Sequence, residues 1–368
     1  MKEIKSILNF FREGQELGEK CALAQVVRVE GSSYRREGAR MIVFESGNFE
    51  GGISGRCLEG DALKRSQLAI LKQEPAVVTY DTSKELELGV GLGCNGIIDV
   101  LLTPISTDSD NIRILQKCTS NRRTHIVVTI TDVKADIPGV ELGRSFYFDT
   151  EKESLEGMEP SDFKTQVLEK VNLALAEKKS RSHQYTSEDA ELTFHVEYVP
   201  AQYHLAIYGD NYDVYPLIQM AGLLDWEISL VGNVQKLKKE ALSNVRNIYP
   251  KSGSERPKLD DRTACVLMAH DFKTDVENMM RTICSAAPYI ASLGPKKRYE
   301  KIKAKLAEKG FVLDEQNEAR IHAPCGLEIG ADSPEEIALS ICSEIISSFT
   351  GKEGGMLRNK LTPIHDRD

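Results

Sequence analysis

The pattern of apolar and polar positions in the first hundred residues predicts one compact mixed domain. Residues 1–20 have the spacing of an amphipathic helix, and helical spacing returns in GDALKRSQLAILKQ before Pro75. Strand patterns occur in CALAQVVRVEG, ARMIVFES, AVVTYDT and IIDVLLTPI, and the last two flank a glycine-rich segment. We therefore predict a mixed α+β domain over residues 1–105.

The stretch over residues 106–200 predicts a smaller α+β module or an elaborate connector. It contains ILQKCTSNRRTHIVVTITDV, a turn at Pro138-Gly139, FYFDTEKESL, a polar helix and ELTFHVEYVP. No motif with evident chemistry occurs in it.

Residues 201–350 alternate regularly between strand and helix patterns. The strand patterns are HLAIYG, WEISLVG, TACVLMAH and PYIASLG, and the helix patterns between them are PLIQMAGLL and DVENMMRTICSAA. A basic helix follows, and a last helix opens at Ser333-Pro334-Glu335-Glu336, where serine caps and acids favour the helix start. Such alternation predicts right-handed βαβ units on a Rossmann-like, doubly wound parallel sheet, and thus an α/β chain. We expect the tail, residues 351–368, to be disordered.

Composition narrows the class of protein. With 368 residues the chain exceeds the size at which one core keeps growing, and no apolar run approaches the roughly 18 residues that cross a bilayer. The first helix lacks the apolar core and cleavage site of a secretory signal, so we expect a cytoplasmic protein without a membrane anchor. A net charge of -9 disfavours binding to nucleic-acid phosphates. The 8 cysteines contain no Cys-x-x-Cys pair, which argues against a zinc knuckle or a disulfide framework.

Two loops of the first domain carry candidate chemistry. The segment from Gly31 to Arg40 places two serine hydroxyls and three arginines between strands, which suits an anion such as phosphate, although a solvated hairpin loop is the alternative. The segment from Gly51 to Glu59 is a glycine-rich turn running into a helix, whose free N–H groups and positive end would surround a ligand. Cys57 lies at that end and is either a low-pKa thiolate or a small buried hydrophobe.

A third segment repeats the arrangement. Four glycines surround Cys94 between Gly89 and Gly96, and such density allows the backbone to approach a ligand closely. Its alternative is a set of β-bulges and tight turns. Two glycine-cysteine loops in one small domain predict a binding site.

These residues resemble the accessory proteins of molybdenum hydroxylases, namely the xanthine dehydrogenase accessory factor family and its carbon monoxide dehydrogenase counterpart, the XdhC/CoxI type. The likeness covers GSSYRREGARM, GGISGRCLE and GLGCNG in the first domain, then YIASLGPKKR and RIHAPCGLEIGADSPEEIALSICSEI in the last. The middle region has no matching motif.

The resemblance implies binding of molybdenum cofactor (molybdopterin), its protection while the terminal sulfur ligand is added, and delivery to an apo molybdenum hydroxylase. A cysteine desulfurase is then a further partner, and homodimerisation is expected. Cys57 and Cys94 would offer soft sulfur to the molybdenum. The cofactor-binding positions that it implies are Gly31, Ser32, Ser33, Arg40, Gly55, Cys57, Glu59, Gly93, Cys94 and Gly96. At Arg56 and Asn95 the family often has glycine, which leaves the shape of the pocket open.

The last domain departs from a dinucleotide-binding fingerprint. The turn after its first strand carries Asn211 and Tyr212 where relatives have glycine and histidine, and Asp210 and Asp213 put negative charge where a diphosphate would lie. NAD(P) binding is therefore disfavoured.

The switch point of such a sheet still forms a crevice, where a ligand is possible. Candidate residues at this second site are Gly209, His270, Gly294 and His322. A capping or hydrogen-bonding role is favoured for His270 and Asp271 over proton transfer or metal binding, and neither histidine is predicted to be a metal ligand.

Three functions from different classes follow. A non-catalytic cofactor-binding and delivery protein is favoured, and no catalytic residue is assigned. The first alternative is an NAD(P)-dependent oxidoreductase that uses the last domain, against which the degraded fingerprint counts. The second is a thiol-redox regulatory protein that uses Cys57 and Cys94.

Overall fold

The structure is a computed structural model that describes residues 1–55, 58–81, 96–134, 137–188 and 190–362. It divides into two compact units, Met1–Ala201 (the first unit) and Gln202–Asp368 (the second unit). Several positions singled out from the sequence lie outside the described residues: Arg56, Cys57, Gly93, Cys94 and Asn95.

The first unit opens with a sheet that is buried on both faces. Its described strands are β1 (Cys21–Gly31), β2 (Arg40–Phe44), β3 (Phe49–Gly51), β4 (Ala76–Asp81) and β5 (Gly96–Ile105), in the order β3-β2-β1-β5-β4 with antiparallel neighbours. Helix α1 (Lys2–Glu16) packs on the face that carries Leu23 and Ile42, and helix α2 (Glu59–Lys72) on the face that carries Val26 and Met41. Because both faces are covered, β2 is apolar at nearly every position instead of alternating.

A second sheet of the first unit is built from the middle region. Its described strands are β6 (His125–Val133), β7 (Ser145–Asp149), β8 (Ser154–Leu155), β9 (Arg181–Thr186) and β10 (Glu191–Val199), in the order β8-β7-β6-β10-β9. Helix α3 (Asp110–Ser120) precedes it in the chain. Helix α4 (Asp162–Glu177) begins at Ser161, whose hydroxyl accepts from the N–H of Lys164, and its apolar face packs on Ile130 and Phe194.

A buried polar joint connects the two sheets. Glu197 on β10 accepts hydrogen bonds from the guanidinium of Arg40 and from Nε2 of Gln25, the latter at 3.2 Å. The Arg40 and Glu197 side chains are only 4% and 7% exposed. Nearby, the Ser182 hydroxyl donates to the carbonyl of Val27 at 2.6 Å. In the described part of the first unit, buried ionic and hydrogen-bonding contacts therefore hold the two sheets together, in addition to apolar packing.

The second unit confirms the predicted parallel sheet. Its described strands are β11 (His204–Tyr208), β12 (Glu227–Val231), β13 (Asn247–Tyr249), β14 (Thr263–Leu267), β15 (Tyr289–Ser292) and β16 (Ile321–His322), and neighbours pair in parallel in the order β13-β12-β11-β14-β15-β16. The helices are α5 (Val214–Leu223), α6 (Phe272–Ile283), α7 (Lys296–Glu308), α8 (Glu315–Ala319) and α9 (Pro334–Thr350). Counted within the unit, this is the 3-2-1-4-5-6 order of dinucleotide-binding folds, whose switch point lies between β11 and β14.

The last helix of the second unit has a defined cap at each end. Helix α9 begins with the predicted capping box, in which Ser333 and Glu336 satisfy each other's backbone N–H groups, and it ends at Gly351 in a left-handed conformation. Beyond it the chain is described as far as residue 362 and forms a 3-10 turn at Leu357–Asn359. The expected disorder of the tail stays a prediction.

No helix in the described ranges is both long enough and apolar enough to cross a membrane.

Candidate functional site

The described parts of the three candidate loops meet at one end of the first sheet. Gly31 at the end of β1 pairs with Gly96 at the start of β5, and a Cβ on Gly96 would lie 2.2 Å from the carbonyl oxygen of Ser32. A Cβ on Gly55 would lie 3.3 Å from the ring of Tyr34. The structure thus brings together Gly31, Ser32, Gly55 and Gly96. We call this region, residues 31–38 with 52–55 and Gly96, the loop edge.

Ser33 is a buried polar residue of the loop edge whose hydroxyl lacks a partner in the described structure. It is 9% exposed, and its hydroxyl is buried with no hydrogen-bond partner in the described structure. A buried hydroxyl without a partner costs about 1–3 kcal/mol, so such groups are rare unless something else completes them. Ser33 therefore marks a position where a ligand atom would be stabilised.

Glu59 shapes the loop edge from inside the protein. It is the first residue of α2 and is buried, and its carboxylate accepts from the N–H of Ser54 at 2.8 Å and from the Ser54 hydroxyl at 2.5 Å. The Ser54 oxygen in turn accepts from the N–H of Leu58 at 3.0 Å. Glu59 thus closes the turn before the helix, and its negative charge is committed to that turn.

The three arginines of the first loop have different environments. The family resemblance implies Arg40 as a cofactor-binding residue. In the structure Arg40 is buried and pairs with Glu197, because it begins β2 with its side chain pointing into the joint between the sheets. Arg35 pairs with Glu3 of α1. Arg36 is exposed, and its guanidinium makes no ion pair or hydrogen bond within the described structure. Sequence reasoning therefore overlooked Arg36, the guanidinium that remains available to an anion.

In the second unit, the turn after β11 is filled by a carboxylate. Gly209 passes so close to β14 that a Cβ there would lie 2.6 Å from the carbonyl oxygen of Met268. The next residue, Asp210, is buried and accepts from the N–H of Asn233 at 3.0 Å. In a dinucleotide-binding fold this turn receives the diphosphate, so an anion already lies where the ligand's anion would bind.

His270 lies at the switch point itself. It follows β14 with a positive φ of 55°, which is costly for a residue with a side chain. Its Nε2 lies 2.5 Å from Oδ2 of Asp213, the residue before α5, so the pair bridges the carboxyl ends of β11 and β14. Asp271 caps α6 by accepting from the N–H of Thr274 at 2.8 Å. The observed contacts of both residues are hydrogen bonding and capping.

Gly294 follows β15 at the carboxyl end of the same parallel sheet. Its φ is +123°, and a Cβ on it would lie 2.9 Å from Cδ of Arg298. Arg298 forms an ion pair with Asp275 at 2.6 Å, and Asp275 also accepts from the N–H of Ala269 at 3.2 Å. Gly294 therefore makes room for an arginine that ties α7 to the end of β14.

Comparison with known proteins finds a family match in each of the two units. Residues 15–81 match the model of the XdhC and CoxI family, and residues 205–345 match the model of the XdhC Rossmann domain. The chain belongs to the XdhC and CoxI family. Its Rossmann domain is the parallel sheet of the second unit, and its loop edge lies largely inside the first match.

Two curated relatives and one solved structure extend along nearly the whole XdhC-type chain. A protein of Bacillus subtilis (strain 168), named as a probable subunit of xanthine dehydrogenase, is 24% identical over 95% of this chain and 98% of its own. The molybdenum cofactor insertion chaperone PaoD of Escherichia coli (strain K12) is 21% identical over 93% and 88%. A crystal structure described as a xanthine dehydrogenase from Bacillus halodurans superposes with a TM-score of 0.72 at 24% identity, covering 96% and 98%, which establishes the shared fold.

In this XdhC Rossmann domain, His322 belongs to a cluster around Glu344 of α9. Its ring stacks on Tyr289 with 4.2 Å between the ring centroids, and its Nδ1 lies 3.1 Å from Oε1 of Glu344. The other carboxylate oxygen accepts from the Tyr289 hydroxyl and from the N–H of Gly326, each at 2.6 Å. Glu344 thus ties α9 to β15, to β16 and to the loop that follows β16.

We expect Glu344→Gln to destabilise the second unit by about 1–2 kcal/mol at neutral pH, because hydrogen bonds to a charged acceptor are weakened. Burial raises the pKa of Glu344, but the hydrogen bonds from His322, Tyr289 and Gly326 outweigh it and lower the pKa. A lowered folded-state pKa contributes stability above the unfolded-state pKa, and that stability is lost as the pH falls through the folded-state value. Urea denaturation from pH 7 to pH 3 should therefore show the difference between variant and wild type shrinking in acid. A constant difference would contradict the ionised assignment.

Among the cysteines that the structure describes, Cys284 is exposed, and the others are buried or half-buried as packing residues are. Burial raises the pKa of Cys118 and of Cys342 to about 12, and it does the same for Cys325, where Glu344 adds to the effect. Such thiols are poor nucleophiles near neutral pH. No group of three or more His, Cys, Asp or Glu side chains in the described ranges is placed to hold a metal ion.

Proposed function

We propose that this protein binds molybdenum cofactor through the loop edge of its first unit and delivers it to a molybdenum hydroxylase of the xanthine dehydrogenase type. The relatives support an accessory role of this kind: one is named as a probable subunit of xanthine dehydrogenase, and another as a molybdenum cofactor insertion chaperone. The cofactor supplies the redox chemistry of the hydroxylase once delivered. The residues of this chain bind and orient it.

The observation that carries the proposal is the buried hydroxyl of Ser33, which has no hydrogen-bond partner in the described structure. Three residues further along the same loop, Arg36 is exposed. Together they are suited to a phosphate-bearing ligand, since a guanidinium forms paired hydrogen bonds with phosphate oxygens and a hydroxyl donates one more. Tyr34 is 72% exposed and lies over Gly55, so its ring offers a flat apolar surface for a pterin. In this proposal Arg40 and Glu59 act by holding the loops in place.

We further propose that Cys57 and Cys94 contact the molybdenum, that a cysteine desulfurase is a second partner in sulfuration, and that the protein acts as a homodimer without turning over a substrate. Thiolates are the protein ligands that suit a soft metal centre. Twofold assemblies are the commonest among soluble oligomers. Light scattering on the purified protein checks the dimer, and a mass equal to one chain rejects it.

The test of cofactor binding is anaerobic loading with molybdenum cofactor, followed by gel filtration and quantification of metal and pterin. Wild-type protein should retain close to one cofactor per chain. Arg36→Ala should weaken binding about tenfold or more, because a charge-assisted hydrogen bond contributes about 1.5–3 kcal/mol and each 1.4 kcal/mol is tenfold in affinity. Ser33→Ala should weaken it by a smaller factor.

Arg35→Ala is the matched control, because this neighbouring arginine is already paired with Glu3. It should bind the cofactor within about twofold of wild type, since its charge is committed elsewhere. Equal losses in Arg35→Ala and Arg36→Ala would show a general charge effect and no defined phosphate contact.

The same loading experiment on Cys57→Ala and Cys94→Ala tests the sulfur ligands, with loss of molybdenum as the expected result. Folded wild-type protein that retains no cofactor and instead binds NAD would overturn the delivery function and restore the oxidoreductase alternative.

A further inference from the structure

The buried carboxylate of Asp210 is surrounded by the donors of an anion site. Besides the N–H of Asn233, Nζ of Lys236 lies 3.6 Å from its Oδ1 and Nζ of Lys251 lies 3.7 Å from its Oδ2. The Asp210 side chain is 2% exposed, whereas the lysine side chains are 56% and 36% exposed. One backbone N–H and two ammonium groups are a donor set that phosphate oxygens also use.

The backbone around Asp210 approaches as closely as in a nucleotide-binding turn. A Cβ on Gly232 would lie 2.7 Å from the carbonyl oxygen of Gly209 and 3.0 Å from Cβ of Asp210. Gly209 donates its N–H to the carbonyl of Val231 at 3.1 Å, which holds the turn against the end of β12. The Asp210 side chain therefore takes up part of the space in which a ligand phosphate would lie in such a turn.

We infer that the second unit contains a phosphate-class anion site at the carboxyl ends of β11, β12 and β13, formed by the N–H of Asn233 with Lys236 and Lys251, and that Asp210 fills this site from within the chain. The carboxylate excludes a diphosphate by occupying its space and by neutralising the two lysines. The other acid of the turn, Asp213, faces His270 instead and leaves these lysines to Asp210. Asp210 is thus the residue that decides whether this Rossmann domain accepts an anionic ligand.

The test is isothermal titration of the full-length protein with pyrophosphate at low ionic strength. Asp210→Gly removes the carboxylate and restores the space of a glycine-rich turn, so it should bind pyrophosphate at least tenfold more tightly than wild type. Binding should weaken as salt is added, because the exposed lysines are screened. Adding Lys251→Ala to Asp210→Gly should reverse most of the gain.

Asp213→Ala is the control for net charge, since it changes the same turn by the same charge without exposing the lysine pair, and it should gain no more than about twofold. Asp210→Asn keeps the shape of the turn and the acceptor for Asn233, so it serves if the glycine variant does not fold. It should bind at least threefold more tightly than wild type, because only the counter-charge is lost. The inference is wrong if the folded variants bind pyrophosphate no better than wild type, or if wild type already binds as tightly as Asp210→Gly. The result does not depend on whether the first unit binds molybdenum cofactor.

Discussion

Glu197→Ala is expected to lower the free energy of unfolding of the first unit by about 3–5 kcal/mol. The substitution leaves the Arg40 guanidinium, with a side chain only 4% exposed, buried without its counter-charge. Breaking a buried ion pair by removing one partner has a cost of this size, since the remaining ion cannot be rehydrated in place. Gln25 loses its acceptor as well. Urea denaturation of the full-length protein, followed by far-ultraviolet circular dichroism, measures the change.

Glu191 is a matched control on the same strand. It pairs with Lys134 at 3.3 Å, but both side chains are more than half exposed, so Glu191→Ala should cost less than about 1 kcal/mol. The double variant Arg40→Met with Glu197→Leu should recover most of the lost stability, because apolar residues of similar volume often replace a buried pair without penalty. A loss below about 1 kcal/mol in Glu197→Ala alone would show that Arg40 finds solvent or another partner.

The course of the chain in the second unit was predictable because its signals are local. Strand patterns of about five apolar residues separated by helical spacing indicate βαβ units, and the handedness rule leaves few topologies. Ser333 and Glu336, three residues apart, predicted their own capping box. The handedness rule alone does not give the spatial order of the strands, in which β14 lies on the opposite side of β11 from β12.

The loops of the first unit were predictable as a cluster but not in detail. Glycine density identified positions of close backbone approach, and Gly31, Gly55 and Gly96 do lie at such contacts. Which arginine faces outward depends on distant partners, however. Arg40 meets Glu197, which is 157 positions away, and this pairing has no local signal.

The turn after β11 was also predictable from the sequence only in part. The acidic residues in the turn after β11 indicated that a diphosphate is disfavoured. That Asp210 is buried between Lys236 and Lys251 required the path of the chain after β12 and β13, which the sequence does not specify. The sequence shows that this turn is unusually acidic. Only the three-dimensional contacts show which groups the Asp210 carboxylate faces.

The first unit is expected to lose stability in acid because of the buried residue His195. His195 on β10 is fully buried, and its Nδ1 lies 3.1 Å from the hydroxyl of Ser182, which itself donates to the carbonyl of Val27. Its Nε2 has no partner in the described structure. Burial lowers the pKa of His195 to about 4, against the partly opposing influence of Glu197. The imidazole is therefore neutral in the folded protein at neutral pH.

A lowered folded-state pKa means that the unfolded chain binds the proton more readily. The contribution of His195 to stability is complete above its unfolded pKa of about 6.5 and is lost as the pH falls toward 4, a difference of about 3 kcal/mol. His195→Gln cannot titrate in this range. Its unfolding free energy should be lower than that of wild type at pH 7, and the gap should narrow by about 3 kcal/mol between pH 7 and pH 4.

His183 on the neighbouring strand β9 provides the comparison for this profile. It is only partly buried, and burial lowers its pKa as well, with Lys170 and Arg181 adding to the effect. His183→Gln should therefore change the pH profile in the same direction but less, since a partly solvated imidazole can be protonated without reaching the interior. Equal changes in the two variants would mean that His195 is protonated through local opening of β9 and β10, and the acid sensitivity would then belong to the sheet and not to one buried ring.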